Sequence, residues 1–235
     1  MNVALVEGRE NKALGGTCLN VGCIPSKAML DSSYKYEAVQ HDFAKSGVQV
    51  SGVKLDLKTM LNRKDDVVKQ LTGGIEMLMK KNKITVLHGW AKLGKDKTVQ
   101  IGKDSYSAKN IIIATGSTPI ELPFAKFDGD KIVDSTDALS FDKVPENLVV
   151  IGAGVIGLEL GSVWRRLGAN VTCLDMADRP VAIMDSALGK EAQKIFAKQG
   201  IQFELGVKVT DIKLAKTVVT IFIMKNGTIC TSKTE

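Results

Sequence analysis

The sequence predicts an α/β chain in which two doubly wound parallel-sheet domains follow one another, each incomplete. Three observations carry that reading. Short apolar runs at 2–7, 110–115, 148–151 and 170–175 are separated by stretches with helical spacing, the alternation that builds βαβ units. The run ending at Ile151 flows directly into Gly152-Ala153-Gly154-Val155-Ile156-Gly157, where a helical pattern opens. The next apolar run closes on Asp175, eighteen positions beyond Gly157, which supplies the context a Gly-x-Gly-x-x-Gly turn requires.

The elements follow in order. Asn2–Glu7 reads as a buried parallel strand closing on an acid. Pro25 suits the first turn of a helix that starts near Cys23 and runs to Gln40. Leu57–Asn82 is a longer helix with Met60, Leu61, Val68, Leu71, Ile75 and Met79 at helical spacing, and Gly73-Gly74 inside it. Ile84–Leu93 and Thr98–Ser107 alternate as strands. Asn110–Thr115 is a buried strand entering a turn at Thr115-Gly116-Ser117, and Val144-Pro145-Glu146 reads as a linker. After Leu148–Ile151 come a helix over Val155–Leu167, a strand over Asn170–Asp175, a helix over Asp185–Gln199 and strands at Gln202–Leu205 and Val207–Asp211. Beyond Leu214 the pattern fades into a strand over Thr217–Met224 with Asn226-Gly227 as a hairpin turn.

Composition bounds the function. A chain of 235 residues, 44% of them hydrophobic, can bury a sizeable core in one large or two medium domains. The net charge of +6 comes from scattered lysines with too few aromatics between them to stack bases, so nucleic acid is not indicated. The longest apolar stretch, Leu148–Leu160, holds Glu159 and three glycines and reads as strand and turn, so no membrane span is expected. Four cysteines, only two of them patterned, and no charged-then-apolar leader argue for a reducing compartment.

The two patterned cysteines lie in Gly15-Gly16-Thr17-Cys18-Leu19-Asn20-Val21-Gly22-Cys23-Ile24-Pro25-Ser26-Lys27. A bare pair at this spacing is as readily a structural bridge or half a metal site as a redox pair. A zinc half-site has a tighter spacing and needs a second half, and neither Cys173 nor Cys230 has a partner so spaced. No metal is therefore expected. The glycines allow close backbone approach to a ligand, while a helix N-terminus with Lys27 one turn further on suits an anionic sulfur. Cys173 reads as a small buried residue and Cys230 carries little information; His41 and His88 read as surface residues rather than catalysts. In the Gly152–Asp175 unit a pyrophosphate would lie on the helix N-terminus. Asp175 would accept from ribose hydroxyls and repel a 2′-phosphate, favouring NAD over NADP, unless it is only a strand end. Arg179 nearby could accommodate that phosphate and soften the preference.

On the cysteine run, the Asn110–Ser117 segment and the Gly152–Asp175 unit, the chain resembles the pyridine nucleotide:disulfide oxidoreductases. The wording from Cys18 to Lys27 is most similar to the dihydrolipoamide dehydrogenase branch. Glutathione and trypanothione reductases tend to carry valine in place of Leu19 and Ile24 and lysine in place of Ser26; mercuric reductases keep the serine and share the valines. The resemblance implies two Rossmann-like domains. Residues 1–144 would be an FAD-binding domain without its first strand and glycine turn, and 145–235 an NAD-binding domain incomplete at its C-terminus; the C-terminal dimerisation domain, with its His-Glu base, would be absent.

The same resemblance implies the chemistry. Cys18 would exchange with dihydrolipoamide, Cys23 would be the charge-transfer thiolate at the flavin, and Lys27 would sit beside the flavin ring. FAD contacts are implied at Glu7, Gly15, Gly16, Thr17, Cys18, Lys27, Gly89, Thr115, Gly116 and Ser117. NAD contacts are implied at Gly152, Gly154, Val155, Ile156, Gly157, Glu159, Asp175 and Val209. The implied partner is dihydrolipoamide carried on a 2-oxoacid dehydrogenase complex or a glycine cleavage carrier protein. The parent would be a homodimer of the bacterial cytoplasm or mitochondrial matrix, and the chain alone would be impaired. Two alternatives stay open: a non-catalytic NAD-binding or interaction module using only Gly152–Asp175, and a relative of mercuric reductase or soluble transhydrogenase.

Overall fold

The structure is a computed structural model and describes residues 2–10, 13–215, 219–226 and 228–234. In chain order the elements are β1 (Ala4–Glu7), α1 (Gly16–Val21), α2 (Cys23–His41), α3 (Leu57–Lys81), β2 (Thr85–His88), β3 (Ala91–Leu93), β4 (Thr98–Ile101), β5 (Asp104–Ser107), β6 (Asn147–Ile151), α4 (Val155–Leu167), β7 (Asn170–Asp175), α5 (Ser186–Lys198), β8 (Gln202–Leu205), β9 (Lys208–Leu214), β10 (Val219–Lys225) and β11 (Thr228–Thr234). The α/β class is observed, with parallel and antiparallel sheets. The chain forms two compact units, one of residues 1–25 and 65–118, the other of 26–64 and 119–235.

In the first unit β1 pairs in parallel with β2, Ala4 opposite Thr85 and Glu7 opposite His88, while β3, β4 and β5 form a separate antiparallel meander. The expected strand over Ile84–Leu93 is broken. Gly89 takes φ +139° and its N–H donates to the Glu7 carbonyl at 2.9 Å, which ends β2 and hands the chain to the meander. The Thr98–Ser107 run likewise folds back at Gly102, φ +60°, so Ile101 faces Asp104 across the turn. The first strand is parallel but not buried: Val3 and Leu5 are each 38% exposed, because among the described residues β1 is paired on one side only.

The larger correction concerns Asn110–Thr115. Its three isoleucines have strand propensity, yet the segment is irregular and Ile112 and Ile113 are 90% and 69% exposed. Propensity does not make a strand where no neighbouring strand offers a ladder, and none pairs with this segment among the described residues. The short helix α1, which carries Cys18, was not expected from the sequence.

In the second unit β6, β7 and β8 form a parallel sheet with β7 central, joined through α4 and α5. The hydrophobic run of β7 is buried as a central parallel strand requires, with Val171, Cys173 and Leu174 at most 1% exposed. The apolar face of α4 packs Leu158, Val163, Trp164 and Leu167 into one core with Val171, Cys173, Ile201 and Met29 of α2. Trp164 is fully buried, and its indole N–H donates to the Ala138 carbonyl at 2.9 Å. Helix α4 ends where Gly168 adopts φ +118° and its N–H returns to the Arg165 and Trp164 carbonyls. Helix α5 starts at Asp185, whose carboxylate accepts from the Ala187 N–H at 2.8 Å. Strands β9, β10 and β11 form an antiparallel meander over a second core of Leu174, Val207, Val209, Ile221 and Ile223. The expected strand over 217–224 is β10, and Lys225 pairs with Thr228 around the expected turn; Thr217 and Gly227 themselves lie outside the described residues.

Cys173 is the small buried residue its sequence context indicated, and burial, with Asp175 nearby as the lesser cause, pushes its thiol up to about 12. Its folded pKa thus lies above its unfolded value of 9.0, so its contribution is fully present below pH 9 and is lost as pH rises from there towards 12. We expect Cys173 to stay unmodified by iodoacetamide at pH 8 in the native chain and to react once urea unfolds it. Mass spectrometry of the labelled peptides checks this, and native-state labelling of Cys173 would contradict it.

Candidate functional site

The second unit carries a turn at the C-terminal ends of β6 and β7, where open parallel sheets take ligands. Gly152 has φ +108° and its N–H donates to the Leu174 carbonyl at 2.8 Å. The next residue, Ala153, is fully buried and donates its N–H to Asp175 Oδ2 at 2.7 Å, while the Ala177 N–H donates to Oδ1 at 2.8 Å. Each carboxylate oxygen is held by one backbone donor and keeps capacity for another. Gly154 precedes α4 without a side-chain cap, and a Cβ placed there would meet nothing within 4 Å. Gly157 is the opposite case, because a Cβ there would fall on the Gly152 carbonyl oxygen and 2.8 Å from Val150 Cγ1. Val155 and Ile156, at the open start of α4, are 42% and 63% exposed.

This arrangement fits a dinucleotide: bare backbone at a helix N-terminus for the pyrophosphate and a fixed carboxylate for the ribose. Arg179 is less available than its position in the sequence suggested. Its Nη1 pairs with Asp178 Oδ1 at 3.0 Å and its Nη2 donates to the Ala182 carbonyl at 3.2 Å, which ties the guanidinium to its own loop. In that loop Val181 adopts φ +43°, strained for a β-branched residue, and its N–H donates to the Ala153 carbonyl at 2.9 Å. Val209 is buried in the second core, so its side chain serves packing.

Glu159, in the second turn of α4, meets the start of α2. Its Oε1 accepts from Lys27 Nζ at 2.5 Å and its Oε2 from Ser26 Oγ at 3.0 Å. Ser26, buried, enters the sequence reading only as a mark of the family branch, with no site role expected of it; the signal available was its place inside the cysteine run.

The first unit holds the remaining candidates. Glu7 ends β1, and its Oε1 accepts from the Arg9 N–H at 2.9 Å, leaving Oε2 for a ligand hydroxyl. Gly15 and Gly16 have φ of +110° and +63° at the start of α1, and a Cβ on Gly16 would meet nothing within 4 Å. Asn20 Nδ2 donates to the Leu14 and Gly16 carbonyls at 3.2 and 2.9 Å, closing that loop. Gly116 has φ +82°, and a Cβ on it would lie 3.4 Å from Thr17 Oγ1, which places the Thr115–Ser117 segment alongside Thr17. Arg9 Nη2 reaches the same hydroxyl at 3.5 Å. Arg9 and Asn20 are further residues the sequence reading missed. Gly89 has committed its N–H to Glu7, so a ligand contact there falls to its carbonyl. Cys18 on α1 and Cys23, the first residue of α2, are both exposed. The bare backbone of Gly15 and Gly16 and the strand-end carboxylate of Glu7 are groups suited to contact a flavin dinucleotide. Among the described residues no cluster of His, Cys, Asp and Glu could hold a metal, and no helix is long and apolar enough to cross a membrane.

A dinucleotide turn on a parallel sheet and a spaced cysteine pair at a helix start together define a dinucleotide-linked disulfide oxidoreductase class. The chain belongs to the pyridine nucleotide-disulphide oxidoreductase family, whose model matches residues 1–233. This is a family of flavin- and nicotinamide-binding proteins. The chain is 49% identical over 231 residues to dihydrolipoyl dehydrogenase of Cupriavidus necator, covering 94% of this chain and 49% of that protein. It is 52% identical to dihydrolipoyl dehydrogenase 3 of Pseudomonas putida over 89% of this chain and 46% of the relative, and 48% identical to the mitochondrial dihydrolipoyl dehydrogenase of Pisum sativum over 85% and 41%. Relatives thus occur in bacteria and mitochondria. The chain spans about half the length of the relatives it matches. In fold it is similar to LpdA of Mycobacterium tuberculosis, with a TM-score of 0.85 and 20% identity over 98% of this chain and 50% of that one. The HOCl-induced flavoprotein disulfide reductase RclA of Escherichia coli gives a TM-score of 0.78 at 24% identity, over 98% and 49%.

Proposed function

We propose that the chain carries the redox-disulfide and NAD-binding part of a dihydrolipoamide dehydrogenase, with residues 1–144 serving FAD and 145–235 serving NAD. The observation that carries this reading is the Cys18–Lys27 run, whose lysine is joined through Glu159 to the helix that opens the dinucleotide turn. In the oxidised protein a dihydrolipoamide thiolate attacks Cys18 Sγ, the Cys18–Cys23 bond breaks, and Cys23 leaves as thiolate. The second substrate thiol then displaces Cys18, so the substrate leaves as a cyclic disulfide and the protein holds two thiols. A flavin held beside Cys23 would supply the redox chemistry by which that electron pair could pass on to NAD as hydride. Glu7, Gly15, Gly16, Thr17, Cys18, Lys27, Gly89, Thr115, Gly116 and Ser117 would hold FAD, and Gly152, Gly154, Val155, Ile156, Gly157, Glu159, Asp175 and the backbone of Val209 would hold NAD. The partner is a lipoyl-bearing carrier of a 2-oxoacid dehydrogenase or glycine cleavage system, the protein acts as a homodimer, and the compartment is bacterial cytoplasm or mitochondrial matrix.

A second reading, an NAD-binding module without flavin chemistry, is favoured by one observation: the Gly152–Asp175 turn is built wholly within one compact unit. The visible spectrum of the chain, refolded with FAD and titrated with dihydrolipoamide, separates the two. We expect a retained flavin band that gains long-wavelength absorbance in the wild type, and no such gain in Cys23→Ser. A colourless chain that binds NAD would sink the first reading and leave the second.

A further inference from the structure

We propose that Ser26 is a positioning residue: its buried hydroxyl clamps one oxygen of Glu159 so that the other is aimed at the Lys27 ammonium. The inference rests on the reading that Lys27 borders the flavin. The contrast in exposure is what points to it. Lys27 is 59% exposed along its side chain and Glu159 26%, while Ser26 as a residue is 7% exposed. An exposed lysine–carboxylate pair is loosely held, because each partner must give up several rotatable bonds and water competes for both. Glu159 escapes that limit through the second hydrogen bond. Serine has a single side-chain torsion, so a buried Oγ 3.0 Å from Oε2 pins the carboxylate at one end. The remaining oxygen then meets Nζ from the next residue of the same helix. Ser26 and Lys27 are adjacent in the first turns of α2, and their side chains diverge by one helical step of about 100°. A carboxylate can satisfy both only when its two oxygens span that step, so the pair of contacts sets the carboxylate's orientation as well as its place. Ser26 touches neither substrate nor cofactor in this scheme; it acts through Glu159 on Lys27.

The site also bears on the choice among branches of the family. A lysine in place of Ser26 would bring a second ammonium to the same carboxylate and divide its charge between two cations. With serine the carboxylate has one cation and one neutral donor, so Lys27 keeps an undivided counter-charge.

The test is lysine-selective nitrogen NMR of the Lys27 ammonium in the full 235-residue chain, comparing wild type with Ser26→Ala, Ser26→Thr and Glu159→Gln. We expect the wild-type ammonium protons to exchange slowly enough to be seen. In Ser26→Ala they should exchange on the order of tenfold faster, the size of effect that one hydrogen bond to a charged group accounts for. Glu159→Gln should match or exceed that loss, and Ser26→Thr, which keeps the hydroxyl, should restore the slow exchange. An unchanged Lys27 signal in Ser26→Ala would overturn the proposal, and so would loss of the signal in Ser26→Thr as well as in Ser26→Ala. None of these readings requires flavin, so a chain that failed to bind FAD would count against the proposed function while leaving the clamp itself measured.

Discussion

Gly157→Ala is expected to destabilise the second unit by about 3 kcal/mol, the upper end of what overpacking usually costs, and to abolish NAD binding. The added methyl has nowhere to go, since it lands on the Gly152 carbonyl oxygen and lies 2.8 Å from Val150 Cγ1. Both neighbours are fixed: Gly152 is tied to Leu174 through its N–H, and Val150 sits in the β6–β7 ladder opposite Cys173. Relief requires α4 to lift from the sheet, which would move the bare Gly154 backbone that a pyrophosphate needs. Gly161, one turn further along the same helix, provides the comparison. A Cβ there would lie 3.4 Å from Val171 Cγ1 and 3.8 Å from Val150 Cγ2, close to ordinary contact. Alanine at 161 gains up to about 1 kcal/mol of helix propensity and should leave stability near wild type. Urea unfolding followed by the fluorescence of buried Trp164 reads both variants. Equal midpoints for Gly157→Ala and wild type would refute the account of the turn.

The dinucleotide turn was legible because its determinants are local. A strand, three glycines at fixed spacing, a helix and a closing acid occupy Leu148 to Asp175, and β6, α4 and β7 form within a residue of where the apolar periods place them. Asn110–Thr115 was misread for the converse reason: whether β-branched residues form a strand is decided by a partner elsewhere in the chain, and none pairs with them among the described residues. The break at Gly89 has the same origin, because the alternation of Ile84–Leu93 does not reveal that its two halves join different sheets. Within the candidate site the cysteine run could be read as a motif, but its contact with α4 could not. Ser26 and Glu159 lie 133 positions apart, and only packing in the second unit brings the carboxylate to the start of α2. Arg179 illustrates the limit of proximity in sequence: four residues past Asp175 it suggested a phosphate ligand, yet its guanidinium is taken up by Asp178 and the Ala182 carbonyl.

That commitment of Arg179 shapes the second large effect, expected for Asp175→Ala. The carboxylate has two duties, one in the fold and one toward NAD. Removing it strips the acceptor from the Ala153 N–H, at 2.7 Å in a fully buried residue, and from the Ala177 N–H at 2.8 Å. An orphaned buried donor costs about 1–3 kcal/mol, so the turn loses stability before any ligand arrives. The ribose hydroxyls lose their acceptor as well, and NAD affinity should fall on the order of 100-fold, equivalent to about 2.7 kcal/mol. Affinity for NADP should not rise to compensate, although the repulsive charge is gone, because Arg179 is held within its own loop. Asp175→Asn keeps one acceptor oxygen but turns an NH2 group towards the other backbone donor, so it should recover only part of the stability and little of the affinity. Calorimetric titration of the three proteins with NAD and NADP checks the pattern. Undiminished NAD binding in Asp175→Ala would show that the carboxylate is only a strand end, and a gain in NADP affinity would show that Arg179 leaves Asp178 and Ala182 more readily than its contacts imply.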